Sequence, residues 1–182
     1  MNRQFAIILA EGFEEIEALA PADILRRLGF NVCIAGQTKK ITGSHGITVS
    51  ADAEICDLKP EQIGCLVLPG GMPGSVNLKN NHAVIKLAKN MASQNKIICA
   101  ICAAPIVLAE AGLLNGIRVT AHPSVKNQLG MAEYTGQMTE THSNIITGKG
   151  PGAVFEFTHA IASSLGKKNE AEKLLKDMFI VT

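Results

Sequence analysis

The sequence has no tryptophan, one tyrosine and six phenylalanines, so aromatics make up only 4% of its 182 residues. Single-stranded nucleic acids are held on stacked aromatic side chains, and that platform is missing. A dominant charge is missing too. Lys and Arg number 17 against 16 Asp and Glu, a formal net charge of +1, which gives no basic footprint for a phosphate backbone. No apolar run approaches membrane-spanning length, and the residues before Phe5 form neither a charged leader nor a long apolar stretch. The five cysteines are odd in number and lack framework spacing, so they read as thiols in a reducing compartment. The expectation is a cytoplasmic protein without nucleic-acid or membrane partners.

What is present is a regular alternation of apolar strands and amphipathic helices over one domain, residues 1–182. Strands are predicted at 5–9, 31–36, 64–68, 97–101, 119–121 and 144–147, and helices at 14–28, 83–94, 106–111, 153–165 and 170–178. Residues 38–52 alternate around a glycine-rich turn and predict a β-hairpin. A short helix is expected between Pro123 and Leu129. The pattern predicts a mostly parallel sheet covered on both faces. Ligands of such sheets bind at the carboxyl ends of the strands. Four loops at that edge carry reactive or glycine-rich sequence: 10–17, 69–74, 102–105 and 122–123.

The run Ile97-Ile98-Cys99-Ala100-Ile101 is apolar throughout and ends on Cys102. Ala103-Ala104-Pro105 then permit a sharp turn into a helix, with proline suited to its first position. This is the arrangement of a nucleophile elbow with cysteine in place of serine. A helix N-terminus beneath the sulfur favours the thiolate. Cys33, Cys56, Cys65 and Cys99 read as packing. Cys99 and Cys102 form a C-x-x-C, but three residues of extended strand, about 10 Å, are too far for a disulfide.

Glu14, Glu15 and Glu17 crowd the first turn of helix 14–28, where carboxylates suit the dipole. Glu14 and Glu15 are expected to face solvent and Glu17 the sheet edge. A buried Glu17 would hold its proton and donate it to the Cys102 thiolate, then move protons during turnover. The Gly71 and Ala103 amides are candidates for an oxyanion hole. His122, before Pro123, is a candidate second base or donor, while His45, His82, His142 and His159 lie on unrelated segments. Gly12, Gly70 and Pro151 are expected to line a substrate pocket. No Cys/His spacing builds a zinc site, and 148–152 lacks the order of a phosphate loop; neither metal nor cofactor is expected.

With Glu14-Glu15-Ile16-Glu17, Leu68-Pro69-Gly70-Gly71, Ala100 to Pro105, Thr120-Ala121-His122-Pro123 and Gly150-Pro151-Gly152 in this order, the chain resembles the ThiJ/PfpI superfamily nearly end to end. Within it, the branch of the parkinsonism-associated protein deglycase is the most similar. The resemblance implies a flavodoxin-like three-layer sandwich and a homodimer. It also implies nucleophile Cys102, partner Glu17, His122 near the pocket, and the Gly71 and Ala103 amides as anion donors. Members act as glutathione-independent glyoxalases, deglycases of dicarbonyl adducts, oxidative-stress sensors or chaperones. The expected function is therefore cofactor-free, cysteine-dependent processing of a small dicarbonyl or glycated substrate. The alternative is a redox sensor or chaperone that uses Cys102 oxidation. Three positions separate this chain from relatives. Ala104 stands where many have glycine, and His45 where arginine is frequent near the dimer interface. Ala103 replaces the histidine of the peptidase-like branch, which argues against a protease.

Overall fold

A computed structural model describes residues 4–180. In chain order the elements are β1 (Gln4–Leu9), α1 (Glu15–Arg27), β2 (Val32–Gly36), β3 (Lys40–Thr42), β4 (Thr48–Ser50), β5 (Ala53–Glu54) and β6 (Ile63–Leu68). There follow α2 (Gly74–Lys79), α3 (His82–Ser93), β7 (Ile97–Ile101), α4 (Pro105–Glu110), β8 (Arg118–Val119), β9 (Glu133–Tyr134), β10 (Thr139–His142), β11 (Ile145–Gly148), α5 (Val154–Ser164) and α6 (Lys168–Asp177).

Seven strands form the central sheet in the order β10-β11-β7-β6-β1-β2-β5. Every pairing is parallel except β10 with β11 at the edge. The period of two along β1 sends Ala6 and Ile8 into one core and Phe5, Ile7 and Leu9 into the other. The first core is closed by Leu78 of α2, Val84 and Leu87 of α3 and Ile106 of α4; the second by Leu25 of α1 and Phe157 of α5. Burying each large aliphatic or aromatic side chain contributes about 1.5–3 kcal/mol. Apolar runs such as β6 and β7 have no polar face because both faces are covered. The result is a three-layer α/β sandwich of the flavodoxin-like type.

Topology fixes where a ligand sits. The chain leaves β1 for β2 on one side, then returns to place β6 on the other. The loops after β1 and β6 thus diverge at a switch point of the sheet and open a crevice there. The elbow strand β7 lies next to β6.

The hairpin forms as expected, from β3 and β4 in antiparallel register. Three features depart from the sequence reading. β8 pairs with β9 in a separate small sheet instead of joining the main one. Loop 69–74 runs into a helix, α2, whose first amide is held by the Gly12 carbonyl at 3.1 Å. β10 adds an antiparallel edge strand, which its polar Thr139-Glu140-Thr141-His142 sequence conceals.

Candidate active site

Cys102 follows the last residue of β7 with φ +63°, in the left-handed region that side chains other than glycine rarely adopt. Holding it there costs roughly 1–2 kcal/mol. Both of its peptide groups are tied down. Its N–H donates to the Gly148 carbonyl at 2.9 Å, and its carbonyl accepts from the His122 N–H at 2.8 Å. Pro105 opens α4 directly afterwards. Cys102 is only half-buried, whereas Cys33, Cys65 and Cys99 are buried. The elbow read from sequence is therefore present as geometry.

Glu17 sits in the first turns of α1 and is fully buried at 0% exposure. Pro21, four residues on within the helix, has no N–H to donate to the Glu17 carbonyl. The carboxyl Oε2 accepts from the Gly70 amide at 2.9 Å, while buried Oε1 has no regular hydrogen-bond partner. Gly70 separates the two functional groups. A β-carbon there would lie 2.6 Å from both the Cys102 Cβ and Glu17 Oε2, so only glycine permits this approach.

Burial raises the Glu17 carboxyl to about 7, against the pull of the Cys102 thiol and the Gly70 amide. Burial, and then the Glu17 carboxylate, push the Cys102 thiol up to about 12, while the Ala103 and Gly71 amides draw it down. The direction for Cys102 is opposite to that expected from a helix N-terminus alone: desolvation and a neighbouring anion outweigh two amides. The pair as a unit thus carries one proton between about pH 7 and 12.

The remaining predicted residues are distributed around this pair. The Gly71 and Ala103 amides lie close enough to Cys102 to draw its thiol down. Gly71, at φ +90°, is packed on the Phe13–Glu14 backbone. Gly12 contacts Pro73 and Gly74 on the Glu17 side of the crevice. His122 and Pro151 share a cavity of about 210 Å³ with Met138 and Lys149, lined by neither Cys102 nor Glu17. His122 Nδ1 is engaged by the Ser124 hydroxyl at 2.7 Å. Larger cavities at Ile55–Asn90 and Arg27–Asp177, about 290 and 320 Å³, contain none of these residues; the backbone contact of His122 with Cys102 ties the smaller one to the pair.

Three features were not read from the sequence. Glu15 does not face solvent: it is 6% exposed and accepts from the His45 N–H at 2.8 Å and the His45 ring at 2.9 Å. Burial opposes its ionisation, yet the His45 ring and the amides of Glu15, His45 and Ile47 hold its carboxyl at about 2. The same pairing raises His45. Glu14, Glu15 and His45 bring ligand-type atoms within 4.8 Å of one another, but Glu15 is already committed to these donors. Cys56 is exposed, not packed. Cys99 pairs with Cys65 at 3.8 Å between their sulfurs, and burial with this neighbour raises its thiol. Cys65 lies diagonally across the β6–β7 ladder from Cys99, whose own register partner is Val67.

The DJ-1/PfpI family model matches residues 3–164. The chain belongs to that family. It is 34% identical over 184 residues to protein dj-1beta of Drosophila melanogaster, covering 99% of this chain and 98% of that one. The crystal structure of Drosophila DJ-1beta superposes with a TM-score of 0.95 at 33% identity, over the whole of both chains. Two other family members carry names of activities. A deglycase of Pyrococcus abyssi is 37% identical over 125 residues, 68% of this chain and 74% of that protein. The glutathione-independent glyoxalase DJR-1.2 of Caenorhabditis elegans is 33% identical over 171 residues, 92% of this chain and 91% of that one.

Proposed function

We propose that this DJ-1/PfpI member is an enzyme that converts small α-oxoaldehydes such as methylglyoxal into α-hydroxy acids, without cofactor or added thiol. The relatives named deglycase and glutathione-independent glyoxalase support the reaction class. The observation that carries it is the buried Glu17 carboxyl, hydrogen-bonded by Gly70 and set against a half-buried Cys102 at φ +63°.

The proton held by the pair fits each step. Between about pH 7 and 12 that proton rests on the Cys102 sulfur, and the Glu17 carboxylate takes it as the sulfur adds to the aldehyde carbon. The alkoxide that forms lies where the Gly71 and Ala103 amides donate, and takes the Glu17 proton to give a hemithioacetal. Glu17, now a carboxylate, removes the hydrogen from that carbon. It returns a proton to the neighbouring carbonyl carbon while the hemithioacetal hydroxyl proton passes to that carbon's oxygen, leaving a thioester beside a hydroxyl. Water, oriented by His122, hydrolyses the thioester to the hydroxy acid and frees the thiol. The net change is addition of one water. Early adducts of amines or thiols with the same dicarbonyls enter the site as glycated substrates.

Apolar Ile16 and Ile47, 44% and 53% exposed on α1 and the hairpin, favour a homodimer, and five unbridged cysteines favour a cytoplasmic setting. No helix among the described residues is long and apolar enough to cross a membrane. A second reading, a redox sensor or stress chaperone, draws on the amides at the sulfur, which suit a sulfinate at Cys102. Incubation with methylglyoxal in thiol-free buffer tests the enzyme reading. Lactate should form with wild type and not with Cys102→Ser; equal lactate from both would refute it.

A further inference from the structure

We propose that the cavity lined by His122 and Lys149 is a subsite for an anionic tail, so that α-oxoaldehydes ending in a carboxylate are preferred over neutral ones. This inference deepens the dicarbonyl reading and rests on it.

The cavity adjoins the backbone of the nucleophile's residue. Its His122 wall donates a backbone N–H to the Cys102 carbonyl, and its other wall continues from Gly148, whose carbonyl accepts the Cys102 N–H. Two lining segments are thus tied to the Cys102 backbone, and a substrate on its sulfur would extend its substituent toward this space. About 210 Å³ is generous for the methyl group of methylglyoxal and leaves room for a longer arm.

The lining selects the arm's chemistry. None of the lining residues is acidic. Lys149 places its ammonium against the Gly136 carbonyl at 3.0 Å, which uses one of three N–H donors and leaves two for a ligand. His122 has Nδ1 occupied by Ser124, and its Cδ2 edge, beside Nε2, faces Gly150. The turn Pro151–Ala153 leads into the eleven-residue α5, whose amide end favours negative charge. Pro123, Met138 and Pro151 supply apolar surface for methylene groups between the reacting carbonyls and the charge. The matching substrate bears a propanoate arm in place of methylglyoxal's methyl group. Thiolate addition, proton transfer between the two carbons and thioester hydrolysis consume one water and no oxidant, and yield α-hydroxyglutarate.

The test compares kcat/KM for this propanoate-armed oxoaldehyde with that for its neutral methyl ester, as a ratio within each protein. Wild type should favour the acid by about tenfold or more at low ionic strength, the scale of one hydrogen bond to a charged group. Lys149→Met should erase most of that preference, Lys149→Arg should keep it, and Lys149→Glu should reverse it. A ratio near unity in wild type, or one unchanged in Lys149→Met, overturns the subsite. Levulinate binding to Cys102→Ser, followed by amide chemical shifts at Lys149 and Gly150, needs no turnover. Saturable shifts with levulinate and none with methyl levulinate support the subsite even if wild type converts neither oxoaldehyde, in which case the dicarbonyl reading alone fails. Absence of those shifts overturns the subsite.

Discussion

Glu17 is the residue whose chemistry depends most on its burial. Its carboxyl is raised from 4.5 to about 7, so the native state holds this proton more tightly than the unfolded chain does. Stability from that preference is fully present below pH 4.5 and is lost as pH rises through about 7. At about 1.4 kcal/mol per unit the loss approaches roughly 3 kcal/mol. Glu17→Gln should therefore match wild type in stability at pH 4 and exceed it by roughly that amount at pH 8, measured by urea unfolding. An equal margin at both values would show that the carboxyl is not raised. Gly70→Ala tests the close approach on the other side. Its methyl group would fall 2.6 Å from Cys102 Cβ and Glu17 Oε2. It should lose about 1–3 kcal/mol of stability and nearly all turnover; wild-type rates would mean that the two side chains have room to separate.

At the scale of elements, the β3–β4 hairpin is held to the start of α1 by His45 on Glu15. The two partners lose their attraction at opposite ends of the pH scale. The Glu15 contribution is present above its unfolded value of 4.5 and is lost as pH falls toward about 2. The His45 contribution is present below its ordinary value of 6.5 and is lost as pH rises through its raised native value. His45→Ala should speed amide exchange at residues 40–50 most at mildly acidic pH, leaving β6 and β7 protected. Uniform change across the sheet would contradict this local role. This contact also marks where sequence reading stops. Regular periodicity and the small-residue turn after β7 made the strands, the hairpin and the elbow legible. The burial of Glu15 was not, because three glutamates in one helical turn look alike until the hairpin folds over one of them. The edge strand β10 was missed because its residues are mostly polar, and α2 because Pro-Gly sequence reads as loop.

Over the whole molecule, the sheet's switch point brings together residues far apart in sequence: Glu17 after β1, Gly70 and Gly71 after β6, Cys102 after β7. The identity of these residues was legible in the sequence, whereas the direction of the Cys102 titration was not, since it depends on how fully Glu17 is enclosed. Packing also separates the thiols. Cys99 lies in the sheet beside Cys65, so mild peroxide should oxidise Cys102 without a Cys99–Cys102 bond, and a peptide map containing that cross-link would contradict the strand geometry. The most direct test of the central claim, that Glu17 carries the proton between the two carbons of a substrate bound to Cys102, is the conversion of methylglyoxal in D₂O followed by proton NMR. Because Glu17 can exchange the abstracted hydrogen with solvent before returning it, the account predicts lactate with deuterium in at least part of the product at the carbon bearing the hydroxyl, formed by wild type and lost in both Glu17→Gln and Cys102→Ser. Lactate formed by Glu17→Gln at a rate near that of wild type would contradict it, because the hydrogen would then have moved between the carbons without passing through Glu17.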